Sequence, residues 1–289
     1  MDTSPPSSPH APTFDRTGKL SLDHVYNKPD PRDYFSTLSK LDYRVPELAK
    51  PFFKRLLEAR RAASDSADAK IVDVGCSYGV NAALLKHDMS LDDLYQLYSA
   101  DAPDDQRALL ARDRVLFSGA DEALSVVGVD AAQNAIAYAV DAGILDAGVS
   151  TNLERRKPTE ADLQAIGGAD IIISTGCVGY VTETSLEQLV DASRDGQAWM
   201  ANFVLRMFDY QPIEDMLAER GYVTERLDGT FFPQRRFVST EEQDHVLENL
   251  SRRGVAPEQA EREGWYLAEL HVSRPESQAA IALEQLVQH

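Results

Sequence analysis

The sequence lacks the features on which several protein classes depend. It has only two cysteines, Cys76 and Cys177, too few for a framework of several disulfides and not spaced as a CxxC pair. It has no run of about 18 apolar residues that could span a membrane, and no apolar signal-peptide core at its N-terminus. Lysine and arginine total 29 against 47 aspartates and glutamates, a net charge of −18 that repels phosphate backbones and anionic lipids. These absences predict a cytoplasmic protein that binds neither nucleic acid nor membrane.

The overall composition is that of an ordinary globular protein, but the first residues of the chain differ from the rest. Apolar residues make up 43% of the chain and charged residues 26%, so a sizeable core can form. The first residues are rich in proline and serine, which indicates a flexible tail. The predicted segments are a tail (1–18), a helical N-terminal segment that serves as a lid or cap (19–69), a core (70–275) with insertions at about 87–123 and 229–264, and a C-terminal helical tail (276–289).

Apolar runs bounded by turn residues predict the strands of the core. The predicted strands are Lys70–Gly75, Leu124–Asp130, the weaker Val149–Glu154, Asp170–Ser174, Ala198–Phe208, Tyr222–Leu227 and Trp265–Val272. Capping patterns starting at Ser90 and Thr159 predict two of the helices between them. Strands that alternate with helices favour an α/β fold with a mainly parallel sheet covered on both faces.

A glycine-containing turn follows the first predicted strand. Asp73 and Gly75 end the strand, and Gly79 opens a helix four residues later. Small residues let a ligand approach the backbone closely, and the start of a helix offers free N–H groups. A dinucleotide-binding fingerprint would need glycine at positions 75, 77 and 80, but Ser77 and Val80 occupy the last two.

The turn resembles the first motif of class I S-adenosylmethionine-dependent methyltransferases, D-x-G-x-G-x-G, with Ser77 in place of the middle glycine. The resemblance extends over roughly residues 70–275. It implies a doubly wound, Rossmann-like sheet of seven mostly parallel strands, and S-adenosylmethionine as the cofactor. It also implies that Asp73, Gly75, Cys76, Ser77 and Gly79 belong to the cofactor site.

A second acidic residue, Asp130, ends the next predicted strand, and Ala131 follows it. In the family, the acidic residue at this place accepts hydrogen bonds from both ribose hydroxyls of the cofactor. A carboxylate suits a vicinal diol because it has two acceptor oxygens. Asp130 could instead cap the following helix, and the two roles are compatible. It lies 51 residues after Gly79, whereas a compact unit needs about 20–30, so the excess predicts an insertion.

The loops after the third and fourth strands complete the expected cofactor site. The resemblance implies an adenine contact just after the third strand, where Asn152 and the Leu153 backbone align best. It also implies that the loop after the fourth strand faces the transferable methyl group. Ser174 and Thr175 are therefore expected in the cofactor site, and Tyr180 beside it.

Candidates for the acceptor side are weaker, and no catalytic residue is evident. The catalytic candidates are Tyr26, His24, Tyr180 and His245. The substrate-binding candidates are Tyr34, Tyr180, Arg206, Phe231, Phe232 and Arg235. The last three could hold an anionic, planar substrate, or could equally form a solvated turn with two core aromatics. Two cysteines and six scattered histidines do not suggest a metal site, and we expect none.

The resemblance implies in-line transfer of a methyl group from S-adenosylmethionine to an oxygen or nitrogen of a small molecule, in secondary or specialised metabolism. The absence of an N-P-P-Y-type tetrapeptide after the fourth strand speaks against nucleic-acid amino groups as acceptors. Two alternatives stay open: an NAD-linked Rossmann oxidoreductase, and a non-catalytic S-adenosylmethionine-binding regulatory or scaffold protein. The expected partner is a small-molecule acceptor, and the chain could also form a homodimer.

Overall fold

The computed structural model describes residues 23–64 and 66–287, apart from the side chains of residues 23 and 24. The tail predicted for residues 1–18 lies outside these residues. Within them, no helix is long and apolar enough to cross a bilayer.

One sheet forms the centre of the molecule. Its strands are β1 (Ala69–Val74), β2 (Leu124–Val129), β3 (Ala147–Val149), β4 (Ile171–Thr175), β5 (Trp199–Leu205), β6 (Tyr222–Arg226), β7 (Phe232–Arg236) and β8 (Trp265–Pro275). Strands β3, β2, β1, β4 and β5 lie side by side in that order and are parallel. β8 pairs antiparallel with β5 on one edge, and with both β6 and β7 on the other.

Helices cover both faces of this sheet. They are α1 (Asp23–Tyr26), α2 (Arg32–Ser39), α3 (Val45–Ser64), α4 (Val80–Lys86), α5 (Leu91–Leu97), α6 (Gln106–Leu116), α7 (Gln133–Asp141), α8 (Glu160–Ile166), α9 (Glu183–Ala192), α10 (Gln211–Ala218), α11 (Thr240–Arg252), α12 (Gln259–Arg262) and α13 (Leu283–Val287). Side chains alternate along a strand, so Ile71 packs in the core under α2 to α7 while Val72 packs in a second core with α8 to α10. The predicted α/β, doubly wound fold class is confirmed.

Local sequence signals account for several helix starts. Ser90 and Thr159 both form the predicted capping boxes, each accepting from the backbone N–H three residues on. Helix α4 begins after Gly79, whose φ of +79° lies in the left-handed region that favours glycine. All seven residues of α4 are buried, which fixes the turn before it against the sheet.

Two details differ from the predicted strands. The weak strand expected at Val149–Glu154 ends at Val149, so the residues after it form a loop at the edge of the sheet. The insertion at about 229–264 contains a strand, β7, that makes the sheet eight-stranded within the described residues. Its sequence, FPQRR, has a proline and three polar residues, and its pairing with β8 is irregular. Such a strand is tolerated at an edge, where proline breaks no ladder.

Candidate functional site

A cavity of about 640 Å³ opens at the carboxyl edge of the parallel strands. The ends of β1 and β2 and the loops after β3 and β4 form one side of it. Tyrosines of the N-terminal segment and residues of β7 form the other side. Ligands bind at this edge of open α/β sheets, and a volume of roughly 300–1,000 Å³ suits a small molecule. We call the two sides the strand end and the tyrosine end.

The glycine-containing turn after β1 reaches the cavity through its backbone at Gly75. Gly75 has a φ of +70°, and a Cβ there would lie 2.5 Å from the Cβ of Cys177. A Cβ on Gly79 would lie 2.7 Å from a methyl group of Ile144. Both glycines are therefore needed for close packing of the turn against neighbouring segments of the protein. Gly79 itself does not line the cavity.

The carboxylate of Asp130 holds the turn in place. Its Oδ2 accepts from the backbone N–H of Ser77 at 2.8 Å, and its Oδ1 accepts from the backbone N–H of Ala132 at 2.9 Å. Ala132 is the cap residue of α7 and the helix has no side-chain cap, so Asp130 does not act as a conventional N-cap. Each carboxylate oxygen has two acceptor positions. One position on each oxygen is therefore left, and Asp130 and Ala131 both line the cavity.

A second carboxylate, Asp73, lies completely buried behind the strand end. Its Oδ1 accepts from the Asn81 amide at 2.9 Å, while its Oδ2 has no hydrogen-bond partner. The same Asn81 nitrogen lies 3.1 Å from the hydroxyl of Thr175, which lines the cavity. Burial raises the pKa of Asp73 to about 7; the Asn81 hydrogen bond opposes this rise, and the charge of Asp130 adds to it.

The two cysteines and Ser77 occupy packing positions. Cys177 lines the cavity, but its thiol donates to the carbonyl of Val74 at 3.2 Å, and burial raises its pKa to about 12. Cys76 does not line the cavity, contrary to its expected place in the cofactor site; its sulfur fits against Gly128, where a Cβ would lie 2.6 Å away. The Ser77 side chain is buried, so Ser77 contributes to the site only through its backbone N–H, which donates to Asp130. Neither thiol is set up as a nucleophile.

The loop after β3 lies at the far side of the strand end. Asn152 and the buried Leu153 line the cavity, as does Glu154, which is not among the residues predicted from the sequence. The Glu154 carboxylate accepts from the N–H and hydroxyl of Thr182, both at 2.8 Å, and from the Ser185 hydroxyl at 2.6 Å. Burial alone would raise its pKa, but these bonds outweigh burial and lower it. Glu154 therefore fastens the start of α9 to this loop.

At the end of β4, only one of the two residues predicted for the cofactor site, Ser174 and Thr175, faces the cavity. Thr175 lines the cavity. Ser174 is completely buried and donates to the Asn202 side chain at 2.6 Å, so it is excluded from the cavity. Successive side chains of a strand point to opposite faces, and this alternation removes Ser174 from the expected cofactor site.

Four tyrosines line the cavity: Tyr26, Tyr34 and Tyr43 at the tyrosine end, and Tyr180 in the loop after β4. The rings of Tyr26 and Tyr34 meet edge to face, with their centroids 5.6 Å apart. Burial raises the pKa of both Tyr34 and Tyr43, so both hydroxyls stay protonated at neutral pH. Tyr43 was not among the predicted residues.

Two predicted substrate-binding arginines are occupied by buried partners. Arg235 reaches the cavity, but its guanidinium donates to both carboxylate oxygens of Glu242, at 3.0 and 2.9 Å. Arg206 does not line the cavity; it pairs with Glu261 and lies 4.4 Å over the ring of Phe231. A buried guanidinium needs a counter-charge, and in both cases the protein itself supplies it.

The remaining predicted residues lie away from the cavity or outside what is described. Phe231 stacks on Arg206, and Phe232 packs in the core with its centroid 4.9 Å from that of Phe203. His245 is on the exposed side of α11 and does not line the cavity. The backbone of His24 belongs to α1, which ends at Tyr26, but its side chain lies outside the described residues.

None of the residues of the insertion at 87–123 lines the cavity. It supports the N-terminal segment instead. Gln106 donates to the carbonyl of Pro29 at 2.9 Å, and Arg32 donates to the carbonyls of Pro103 and Asp104, both at 2.9 Å. In the part of the chain that is described, no three His, Cys, Asp or Glu side chains are grouped so as to hold a metal ion.

No protein-family model and no curated protein matches the sequence. Several solved structures are similar. The plantazolicin methyltransferase BamL, in complex with a triazolic desmethylPZN analog and SAH, is 12% identical with a TM-score of 0.43, over 88% of this chain and 100% of its own. The magnesium protoporphyrin IX methyltransferase of Synechocystis PCC 6803 with bound SAM is 10% identical with a TM-score of 0.37, over 74% of each chain. A TehB-like SAM-dependent methyltransferase from Corynebacterium glutamicum is 18% identical with a TM-score of 0.35, over 74% of this chain and 85% of its own. At such identities and scores, no function follows from the similarity.

Proposed function

We propose that the protein transfers a methyl group from S-adenosylmethionine to a small-molecule acceptor. The observation that carries this proposal is the Asp130 carboxylate, which fixes the glycine-containing turn and keeps one acceptor position on each oxygen at the cavity wall. This arrangement suits the two adjacent hydroxyls of a ribose.

The charges of the strand end also suit this cofactor. S-adenosylmethionine carries a sulfonium, an ammonium and a carboxylate group, so it is a net cation, and the acidic residues Asp130 and Glu154 line that end. The Oδ2 of Asp73 is a buried acceptor without a partner directly behind it. A cation nearby would favour the ionised form of Asp73. The residues present therefore fit the cofactor, with Leu153, Val181 and Leu189 as an apolar wall for its adenine.

The bound cofactor supplies an already activated methyl group, so the chain has to position the two reactants and exclude water. The turn at Gly75 and the Asp130 carboxylate would hold the donor. The tyrosine end, closed by α1, α2 and β7, would hold the acceptor in line with the methyl group. Because these segments enclose the cavity, the proposed acceptor is a small molecule, as expected for specialised metabolism.

The same geometry argues against an NAD-linked oxidoreductase. A dinucleotide places its pyrophosphate on free backbone N–H groups of this turn. Here the Ser77 N–H already donates to Asp130, and a second negative charge would meet that carboxylate.

Isothermal titration calorimetry with S-adenosylmethionine, S-adenosylhomocysteine and NAD tests the proposal. We expect both adenosyl ligands to bind and NAD not to bind. An untargeted mass-spectrometric screen of a metabolite extract, incubated with the protein and a labelled donor, should then show a compound that gains one methyl group. Binding of NAD alone would overturn the proposal, and tight binding of the donor with no methylated product would favour a regulatory or scaffold role.

A further inference from the structure

One group of the proposed cofactor still needs a partner. S-adenosylmethionine and S-adenosylhomocysteine both carry a carboxylate on their amino-acid portion, whereas the strand end is lined by the acidic residues Asp130 and Glu154. Arg235 is the one basic side chain among the described residues that line the cavity, and its two bonds to Glu242 neutralise it. A ligand carboxylate in this cavity therefore depends on uncharged hydrogen-bond donors.

Tyr43 offers such a donor where the strand end and the tyrosine end meet. It is half-buried and lines the cavity, as does Thr175 at the end of β4. The Asn81 amide that donates to Asp73 also donates to the Thr175 hydroxyl, at 3.1 Å. Thr175 in turn forms a side-chain hydrogen bond with Tyr43. Because Thr175 accepts from Asn81 and gives its hydrogen to the Tyr43 oxygen, the Tyr43 hydroxyl keeps its own hydrogen for a ligand.

The Tyr43 hydroxyl stays protonated at neutral pH. Burial raises its pKa, and the hydrogen bond from Thr175 opposes this rise without cancelling it. The negative charge of Asp73 adds to the rise. A protonated phenol can donate to a carboxylate, and a hydrogen bond with one charged partner is stronger than a bond between neutral groups.

The backbone around Tyr43 is held from two sides. Its carbonyl accepts from the Tyr95 hydroxyl at 2.6 Å, and the N–H of the next residue, Arg44, donates to the carbonyl of Gln234 at 2.8 Å. The preceding residue, Asp42, has a φ of +52°, which a non-glycine residue adopts only where its surroundings hold it. The Tyr43 side chain therefore reaches the end of β4 from a fixed backbone.

The strand order places Tyr43 on the correct side of the turn. Strand β1 lies between β2 and β4 in the sheet. Gly75, at the end of β1, therefore separates Asp130, at the end of β2, from Thr175, at the end of β4. If Asp130 holds the ribose, the amino-acid portion of the same molecule extends past Gly75 toward Thr175 and Tyr43.

From these contacts, and resting on the proposed function, we infer that Tyr43 is a cofactor-binding residue whose hydroxyl donates a hydrogen bond to the carboxylate of the cofactor's amino-acid portion. Thr175 is then a positioning residue, because it orients that hydroxyl. Tyr43 belongs to the N-terminal segment, so the bound cofactor also holds this segment against the end of β4.

Two ligands that differ only in the carboxylate test the inference: S-adenosylhomocysteine and its decarboxylated form, which keeps the ammonium group. Each is titrated calorimetrically into the wild type, Tyr43→Phe and the matched control Tyr222→Phe. Tyr222 does not line the cavity, and its hydroxyl donates to the carbonyl of Ala198 at 2.9 Å. We expect S-adenosylhomocysteine to bind the wild type and the control equally, and Tyr43→Phe at least about tenfold more weakly. The decarboxylated ligand should bind all three proteins alike.

Unchanged affinity of Tyr43→Phe for S-adenosylhomocysteine would overturn the inference. An equal loss for both ligands would also overturn it, since the hydroxyl would then serve another part of the molecule. Thr175→Val decides the question if Tyr43→Phe does not fold: without the Thr175 hydroxyl, the affinity for S-adenosylhomocysteine should fall several-fold and that for the decarboxylated ligand should stay the same. Absence of binding of both ligands to the wild type would contradict the proposed function, and the inference with it.

Discussion

The carboxylate of Asp130 accepts a hydrogen bond from the backbone N–H of Ser77 at 2.8 Å, across 53 residues of sequence. This bond joins the end of β2 to the turn that follows β1. Ser77 has a positive φ of 50°, which a non-glycine residue adopts only where its surroundings hold it. Asp130 therefore shapes the turn as well as facing the cavity, and its two roles can be separated by experiment.

Replacing Asp130 by alanine should weaken binding of S-adenosylmethionine and S-adenosylhomocysteine by at least about a hundredfold. Two charge-assisted hydrogen bonds of about 1.5–3 kcal/mol each would be lost, and about 1.4 kcal/mol is a factor of ten. Asp130→Asn keeps one acceptor oxygen and should be intermediate. Calorimetric titration measures the affinities, with Asp244→Ala, at an exposed position of α11, as the control. Unchanged affinity in the alanine variant would refute the proposed ribose contact.

Melting of the ligand-free proteins checks the second role of Asp130. Because Ser77 and Ala132 each lose an acceptor for their N–H, Asp130→Ala should be less stable than the wild type by about 1–3 kcal/mol. Asp130→Asn should also lose stability, since its NH2 group cannot accept from a backbone N–H. A silent asparagine variant would show that one of the two bonds contributes nothing to stability.

The strand end of the site was largely predictable from sequence, because the carboxyl ends of parallel strands meet at one edge. Gly75, Asp130 and Thr175 follow from that rule. Ser174 did not, since the strand boundary shifted by one residue and neighbouring side chains alternate between faces. Alternation follows from the extended backbone itself, but which of two neighbouring side chains faces the cavity depends on the register of the strand in the sheet, which the local sequence does not specify.

The tyrosine end could not be predicted in the same way. Gln234 enters the site only because β7 pairs with β8, and the local sequence of β7 does not resemble a strand. Arg206 looked available for a substrate because its partner Glu261 is 55 residues away in the sequence. An ion pair between residues far apart in the sequence neutralises a charge that looks unpaired in the sequence alone.

Asp73 predicts a distinctive dependence of stability on pH. Burial raises its pKa to about 7 from an ordinary value of 3.8. Between these two values the native state holds a proton that the unfolded state releases, so this group lowers the free energy of unfolding as the pH rises. Asp73→Asn cannot titrate. The free energy of unfolding of this variant should therefore fall less than that of the wild type from pH 4 to pH 7, and it should be the higher of the two above pH 7.

Urea denaturation of both proteins from pH 4 to pH 8 measures this difference directly, because the other titrating groups are common to both. Parallel curves would show that Asp73 keeps an ordinary pKa. The same substitution should weaken donor binding at pH 8, since the neutral amide cannot offset the positive charge of the cofactor.

The N-terminal segment should open more readily when its contact with α7 is removed. Asn27 Oδ1 accepts from the backbone N–H of Asn134 at 2.8 Å, and the Asn134 amide donates to the carbonyl of Asn27 at 3.0 Å. Asn134→Ala removes the second bond, and Asn27→Ala the first. Each should make the chain near residue 27 several-fold more sensitive to proteolysis, because a net hydrogen bond contributes about 0.5–1.5 kcal/mol.

Digestion is compared with and without S-adenosylhomocysteine, using Gln164→Ala on the exposed side of α8 as the control. The ligand should protect the wild type more than either asparagine variant. Identical digestion with and without ligand would contradict a lid over the cavity.

The Arg235–Glu242 pair should stabilise the fold and leave no free charge for a substrate. Burial alone would lower the pKa of Arg235, but the bonds and charge of Glu242 outweigh burial and raise it. Glu242 is completely buried and also accepts from the backbone N–H of Val238 at 2.8 Å. Removing one partner of such a pair leaves an uncompensated charge and typically costs about 3–5 kcal/mol.

Arg235→Met and Glu242→Gln should each lower the free energy of unfolding by that amount, as measured by urea denaturation. The double variant should lose much less than the two losses added together, because it leaves no charge unpaired. If Arg235→Met proved as stable as the wild type, the pair with Glu242 would not stabilise the fold.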